Sequence, residues 1–205
     1  MFTGIVAALG RITKLTPLGG ADAGLRLTIA APDLGLDDVA LGDSIAIQGA
    51  CMTVVEKGAD TFAIDISRES LSKTVGLDAP GEVNLEKAVS LSTKLGGHLV
   101  TGHVDGLGEV LRFAPVDESH ELVVLAPREL AKFLAYKGSV TVNGVSLTVN
   151  RVTDVEGENA GAEFSINLIP LTVAVTTLKH LKPGSKVNLE IDLIARYVER
   201  MLAAK

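Results

Sequence analysis

The sequence predicts an all-β fold of two duplicated small closed barrels, followed by one C-terminal α-helix. Three observations support this fold class. The two halves of the 205-residue chain repeat each other, short β-branched runs alternate with turn residues, and the last residues form an amphipathic pattern. A length of 205 residues also suits two domains of roughly 100 residues each.

The internal repeat is carried by four blocks that occur in the same order in both halves. Residues 101–110 repeat residues 3–12 with five of ten positions identical. The other three pairs of blocks are 44–54 with 139–149, 62–66 with 164–168, and 83–86 with 187–190. The offset rises from 95 to 102 between the second and third pairs, which predicts a seven-residue insertion around residues 154–162, in a surface hairpin.

The strands are predicted from short apolar or β-branched runs that are bounded by glycine and proline turns. These runs are residues 25–29, 44–47, 51–55, 62–66, 122–125, 139–142, 146–149 and 164–169. Turn signals at this spacing are typical of a small barrel in each half.

Helices are predicted at two places. Residues 127–134 begin with proline and carry apolar residues on one side. Residues 193–204 follow Asp192, which is expected to cap the helix. One face of this terminal helix forms an apolar stripe of Ile194, Tyr197, Val198, Met201 and Leu202. The first half has no counterpart of this helix.

Composition limits the classes of function. The net charge is −6, aromatic residues make up 3% of the chain and Trp is absent, so nucleic-acid binding is disfavoured. A single cysteine excludes an intrachain disulfide and suits a reducing compartment. The N-terminal residues resemble neither a signal peptide nor a membrane span, and we therefore expect a cytoplasmic protein.

Catalytic groups are expected where the two copies differ. The divergent pairs are Cys51 with Ser146, Ile5 with His103, Gly42 with Lys137, and Ala88 with Asp192. Three of these residues also have a purely structural explanation: Cys51 as an inert core thiol, Lys137 as a solvated turn residue and Asp192 as a helix cap. The spacing of His98 and His103 fits no zinc signature, and no metal site is predicted. Residue patterns alone thus indicate a duplicated barrel with a polar, asymmetric cleft.

Four motifs identify a family. Residues 1–6, 97–106, 144–149 and 167–170, together with the duplication, resemble the riboflavin synthase alpha chain along its whole length. The resemblance implies two six-stranded antiparallel Greek-key barrels, residues 1–97 and 98–191, and an oligomerisation helix, 192–205. It also implies a homotrimer with no metal or redox cofactor, and lumazine synthase as a candidate partner. The implied reaction is the dismutation of two 6,7-dimethyl-8-ribityllumazine molecules by four-carbon transfer, giving riboflavin and 5-amino-6-(D-ribitylamino)uracil.

The resemblance also implies the site residues. The implied contacts of the first barrel are Gly4, Ile5, Val6, Cys51, Met52, Thr53, Asp65, Ile66, Ser67, Arg68, Glu69 and Ser70. The implied contacts of the second barrel are Gly102, His103, Val104, Lys137, Ser146, Leu147, Thr148, Asn167, Leu168, Ile169, Pro170, Leu171 and Thr172. The candidate catalytic residues are Cys51, His103, Ser146, Asp192, Ser44 and Phe2, and His98 matches a further sensitive position. Asn143 and Leu171 differ from the family pattern, which commonly has an aspartate and a polar residue there.

Two other functions share the expected fold. A lumazine-protein antenna holds one fluorescent ligand without catalysis, and a reductase contains a flavin-binding barrel. The antenna needs only one intact pocket, whereas both halves of this chain keep the Thr-Gly-x-Val and Gly-x-x-x-Thr-Val elements. The reductase needs a nicotinamide domain that is missing from these residues. The sequence therefore favours the enzyme.

Overall fold

The computed structural model describes residues 1–20, 23–157 and 160–204, which form two β-barrel units and a terminal helix. The strands of the first barrel are β1 (Ala8–Pro17), β2 (Leu25–Ala30), β3 (Ser44–Ile47), β4 (Ala50–Lys57), β5 (Thr61–Ile66) and β6 (Gly81–Lys87). They close in the order β1-β2-β5-β4-β3-β6 with every pair antiparallel. Because β2 pairs with β5 rather than with β3, the connection is a Greek key, as the resemblance implies.

The second barrel is a curled sheet of seven segments. They are β7 (Gly106–Val116), β8 (Ser119–Pro127), β9 (Ser139–Val142), β10 (Val145–Thr148), β11 (Arg151–Val155), β12 (Gly161–Leu168) and β13 (Lys186–Ile191). Their order is β10-β9-β13-β7-β8-β12-β11, so the two edges are β10 and β11, which only Val149 and Asn150 separate. Together β10 and β11 occupy the place of β4. The fourth strand of the second unit is therefore divided, and the sheet curls back on itself.

The predicted insertion lies in a hairpin. β11 and β12 pair antiparallel from Arg151 with Ser165 to Val155 with Gly161. The connection between them spans residues 156–160, of which 158 and 159 lie outside the described residues. The extra length in the second half therefore extends a hairpin and leaves the barrel order unchanged.

The helices are short except for the last. They are α1 (Arg68–Lys73), α2 (Arg128–Ala131), α3 (Pro170–Ala174) and α4 (Leu193–Ala203), with a 3-10 turn over Thr177–His180. The helix predicted over 127–134 ends early, because Phe133 and Leu134 donate to carbonyls three residues back in tightening turns. The terminal helix is confirmed, and the Asp192 Oδ1 accepts a hydrogen bond from the Ile194 N–H at 2.8 Å.

Strand register decides which side chains face outward. In the β3–β4 pair, Ile45 opposes Met52 and both side chains are buried in the first core. The alternating pairs, Ser44 with Thr53 and Ala46 with Cys51, therefore lie on the outer face of the barrel. β9 and β10 repeat this arrangement, with Ser146 opposite Thr141. Both divergent residues of the central repeat, Cys51 and Ser146, are thereby presented outside their barrels.

The two barrels meet across an interface in which equivalent residues make equivalent contacts. Asn84 Nδ2 donates to the Asn143 carbonyl at 2.8 Å, and Asn188 Nδ2 donates to the Gln48 carbonyl at 2.9 Å. The Asn143 Oδ1 also accepts from the Asn188 N–H at 2.8 Å. Asn143 is 2% exposed. The side chain at this unusual position thus bonds within the second barrel, and its backbone carbonyl makes the contact with the first barrel.

Within the described ranges, no helix has the length and apolar content required to cross a bilayer. The cytoplasmic location stays a prediction.

Candidate active site

The segment that leads into each barrel lies against the other barrel. The Gly4 carbonyl accepts a hydrogen bond from the Ser146 N–H at 2.7 Å. The Gly102 carbonyl accepts from the Cys51 N–H at the same distance. The sequence had placed Gly4 beside Cys51 and Gly102 beside Ser146. The structure corrects this assignment, because each pocket combines a strand of one barrel with the leading segment of the other.

Only glycine fits at these two crossing points. Gly4 and Gly102 have φ angles of 75° and 76°, in the left-handed region that side chains disfavour. A Cβ added at Gly4 would lie 2.6 Å from the Ser146 Cβ, and one at Gly102 would lie 2.7 Å from the Cys51 Cβ. The Thr-Gly pair of the repeat is therefore needed for close approach of two backbones.

The first cavity, the Cys51 pocket, has a volume of about 220 Å³. It is lined by Ala50, Cys51, Met52, Glu69, Ser70, Lys73, Thr74, Gly102, His103 and Val104. Three of these side chains are ionisable and exposed: Glu69 and Lys73 on α1, which form an ion pair at 3.1 Å, and His103. The Cys51 side chain is half-buried. This pocket offers charged and hydrogen-bonding groups around a thiol.

The second cavity, the Ser146 pocket, is the counterpart of the first, with a volume of about 300 Å³. It is lined by Gly4, Ile5, Val6, Val145, Ser146, Leu171, Thr172, Val175 and Thr176. Leu171 on α3 and Val175, the residue that follows this helix, stand where Glu69 and Lys73 stand in the first half. Ile5 stands in place of His103. The two pockets thus share a backbone plan and differ in polarity.

A buried histidine contacts the serine of the second pocket. The His98 Nδ1 lies 2.7 Å from the Ser146 Oγ, and its Nε2 lies 3.3 Å from the Thr141 Oγ1. Burial lowers the pKa of His98 below its usual value of 6.5, although the nearby charge of Asp192 opposes this shift. The imidazole is therefore neutral near pH 7. A neutral imidazole in contact with a hydroxyl can accept its proton, as a general base does.

The first barrel has an apolar group where the second has this histidine. Phe2 is fully buried and packs with Ala46 and Val100 against Cys51. Ala46 is the equivalent of Thr141, and Cys51 is the equivalent of Ser146. Phe2, a candidate catalytic residue, thus packs behind the thiol, and the two copies differ in the chemistry behind the pocket as well as inside it.

Three of the polar residues singled out by the sequence lie outside both pockets. Asp192 caps α4 and acts on His98 through its charge. The Lys137 Nζ donates to the Asn150 Oδ1 at 2.9 Å. Ser44 lines a separate cavity of about 270 Å³ beside Lys87 and Ala88. Any contact of these side chains with a ligand in either pocket would need a ligand that extends beyond it.

Other implied contacts fall into two groups. The side chains of Ile66, Leu147 and Leu168 belong to the barrel cores, so that only their backbones could meet a ligand. Residues outside both pocket linings are Thr53, Asp65, Ser67, Arg68, Thr148, Asn167, Ile169 and Pro170. Among these, Asp65 forms an ion pair with Arg26 at 2.7 Å, and Ser67 caps α1 through its side chain.

The sequence analysis missed four pocket residues, at the C-terminal end of α1 and just after α1 and α3. These residues are Lys73, Thr74, Val175 and Thr176. The offset of 102 that aligns residues 62–66 with 164–168 also aligns 73–74 with 175–176. Extending the repeat past the strand would have found them. Among the described residues, no three His, Cys, Asp or Glu side chains converge as metal ligands.

Comparison with known proteins gives consistent matches. The lumazine binding domain family matches the chain twice, at residues 3–88 and 101–192. The chain is 43% identical over 204 residues to the riboflavin synthase of Photobacterium phosphoreum, with 98% of this chain and 89% of that protein covered. It is 42% identical over 205 residues to the riboflavin synthase of Mycobacterium bovis, with 98% of each covered. The solved structure of LumP complexed with 6,7-dimethyl-8-(1'-D-ribityl) lumazine has a TM-score of 0.77 at 26% identity, covering 93% of this chain and 98% of that chain.

Proposed function

The chain belongs to the riboflavin synthase family of enzymes, and from this membership we propose that it dismutates 6,7-dimethyl-8-ribityllumazine. One lumazine molecule transfers a four-carbon unit to a second, which yields riboflavin and 5-amino-6-(D-ribitylamino)uracil. The observation that carries the proposal is the pair of matched but chemically different pockets. Two copies of one substrate with different roles require such a pair, and the lumazine-binding domains would be residues 1–97 and 98–191.

The reaction needs two kinds of help from the protein. One lumazine loses a proton from a ring methyl group, and its carbanion is stabilised by delocalisation into the ring system. The other is attacked at a ring carbon by a nucleophile, and Ser146 and Cys51 are the candidate nucleophiles that line the pockets. His98 is placed to take the proton of the Ser146 hydroxyl at 2.7 Å. His103 is a second candidate proton carrier, in the Cys51 pocket.

Holding the two ligands face to face supplies a further part of the rate, up to ~7–11 kcal/mol for well-oriented partners. In the family arrangement, the first barrel of one chain faces the second barrel of another. This requires an oligomer, and we propose a homotrimer built on α4. The exposed stripe of that helix supports the assembly, since Tyr197 and Met201 are 63% and 73% exposed. Association with lumazine synthase stays a prediction.

The opposite face of α4 is tied to its own barrel. Arg196 pairs with Asp105 at 2.5 Å, and Glu199 pairs with Lys132 at 2.5 Å. The polar side of the helix therefore faces the second barrel and the apolar side faces away from it. An amphipathic helix of about three turns is unstable alone in water, so the apolar side needs a partner surface.

A turnover assay tests the proposed function. The protein is mixed with 6,7-dimethyl-8-ribityllumazine, and the visible absorbance of riboflavin is followed. We expect one riboflavin to form for every two lumazine molecules consumed. Binding of the lumazine without conversion would instead support an antenna protein, the alternative function with the same fold.

We expect Cys51→Ser to lower turnover while the fold persists. The change in volume is small, but a hydroxyl is a weaker nucleophile than a thiolate. Steady-state rates and thermal unfolding of the variant and the parent protein measure the two properties separately. Parental turnover in a folded Cys51→Ser protein would remove the thiol from the chemistry and leave it as a packing group.

A further inference from the structure

We infer that Glu86 and Glu190 are positioning residues, and that each shapes the pocket on the opposite barrel through one glycine. The part of this inference that links pocket shape to catalysis rests on the proposed function. The positioning of each pocket by its glutamate does not rest on that function, because it follows from hydrogen bonds within the chain. Neither carboxylate lines a pocket, and the two residues are only 8% and 3% exposed.

Glu86, on β6 of the first barrel, holds the segment that leads into that barrel. Its Oε1 accepts from the Thr3 N–H and from the Thr3 hydroxyl, both at 2.7 Å. Its Oε2 accepts from the Gly4 N–H at 2.9 Å. A single buried carboxylate thus satisfies three donors and fixes the backbone of the Thr-Gly pair.

Glu190, on β13 of the second barrel, repeats these contacts. Its Oε1 accepts from the Thr101 N–H at 2.6 Å and from the Thr101 hydroxyl at 2.7 Å, and its Oε2 accepts from the Gly102 N–H at 2.9 Å. The two sets of distances agree to within 0.1 Å. The arrangement is therefore a property of the repeat rather than of one loop.

Each glycine connects its carboxylate to the other barrel. The N–H of Gly102 points to Glu190, and its carbonyl accepts from the Cys51 N–H at 2.7 Å. The N–H of Gly4 points to Glu86, and its carbonyl accepts from the Ser146 N–H at 2.7 Å. One residue thus separates each glutamate from the nucleophile of the opposite pocket. Glu190 positions the wall of the Cys51 pocket, and Glu86 positions the wall of the Ser146 pocket.

The chemistry of the contacts requires a carboxylate. All three partners are donors, and a carboxylate accepts on both oxygens, whereas a carboxamide presents an NH2 group on one side. In a Gln variant, that NH2 would face an N–H or a hydroxyl donor, and one buried donor would lose its acceptor. Burial raises the pKa of both glutamates, and the hydrogen bonds from the Thr-Gly pairs oppose this shift.

Thiol labelling tests the crossed assignment, because Cys51 is the sole cysteine of the chain and lies in the pocket assigned to Glu190. The rate of reaction with a maleimide is measured without ligand in Glu190→Gln and in its matched control, Glu86→Gln. We expect labelling to accelerate about tenfold in Glu190→Gln, because losing a charge-assisted hydrogen bond loosens the segment over the thiol. Glu86→Gln should label at the parental rate.

A reciprocal background reverses the roles. In a chain carrying both Cys51→Ser and Ser146→Cys, the single thiol lies in the other pocket. There, Glu86→Gln should accelerate labelling and Glu190→Gln should not. If the Gln variants fail to fold, Thr101→Val and Thr3→Val each remove the hydroxyl bond to the glutamate, and Thr3→Val also removes the acceptor of the Ile5 N–H. These variants should show the same crossed pattern with smaller changes, and Thr101→Ser and Thr3→Ser should label at the parental rate.

The outcomes are distinct. If both substitutions accelerate thiol labelling equally in one background, the glutamates are general stabilisers and the inference is wrong. The inference is also wrong if no folded variant shows faster labelling. The crossed pattern in a protein that binds no lumazine would leave the positioning role intact and contradict the proposed function instead. In a protein that turns over lumazine, protection of Cys51 by lumazine should weaken about tenfold in Glu190→Gln alone.

Discussion

A chain that ends after Asp192 is expected to be a folded monomer with turnover reduced by at least about 100-fold. The barrels keep their cores without α4, since none of its residues is buried. Turnover should fall because, in the proposed assembly, the two pockets of one active site come from neighbouring chains, so that the contribution of proximity and orientation is lost. Sedimentation measures the mass of the assembly, and the riboflavin absorbance assay measures the rate.

A pair of point variants distinguishes the effect of the apolar stripe on assembly from the effect of removing the whole helix. Met201→Glu places a charge in the stripe and should dissociate the assembly, whereas Arg200→Glu changes an exposed residue next to it and should leave the mass unchanged. A truncated chain that remains trimeric, or a monomer with parental activity, would contradict the proposed role of α4.

Substitution of His98 is the second change with a large expected effect. In His98→Ala, the Ser146 hydroxyl loses the imidazole at 2.7 Å, and turnover should fall by about 10²–10⁴-fold, the usual contribution of a general base. His180→Ala is the matched control, because that histidine is exposed and its Nε2 lies 2.7 Å from the Glu82 Oε2, outside both pockets. Parental turnover in a folded His98→Ala protein would exclude His98 from the chemistry.

The pH dependence gives the same histidine a second test. Burial lowers the pKa of His98 in the folded chain, so the neutral imidazole persists below the ordinary value of 6.5. In a profile of turnover against pH, the loss of activity on the acid side that is due to His98 should therefore occur below pH 6.5. The same loss should be absent from His98→Ala. The unfolded chain binds this proton more readily, so the free energy of unfolding should also fall as the pH drops below about 6.5. If the loss of activity at low pH is unchanged in His98→Ala, it is due to the titration of another group.

Much of the fold could be predicted from local patterns. The strands β3 and β9 have the bounds that their β-branched runs predict, and Asp192 caps α4 as its side-chain chemistry suggests. These features depend on neighbouring residues. The two short helices α1 and α3 were not predicted, because segments of six and five residues are too short to show a helical periodicity of apolar residues.

The candidate site was harder to predict because it depends on contacts between distant residues. The repeat shows that Gly4 and Gly102 are equivalent, but it does not show which barrel each one contacts. Likewise, His98 lies 48 positions from Ser146, and only the folded chain brings the imidazole to the hydroxyl. The divergent residues Cys51 and Ser146 were identifiable from the alignment of the two halves, whereas the crossing of the leading segments required the three-dimensional structure.

The most direct test is the number of ligand sites per chain. Riboflavin, the product of the proposed reaction, binds without being consumed and is titrated into the protein by calorimetry. The Cys51 pocket and the Ser146 pocket differ in polarity, so we predict two molecules bound per chain, in two classes of affinity. Binding of one molecule per chain, in a single class, would contradict the claim that this chain carries two working pockets.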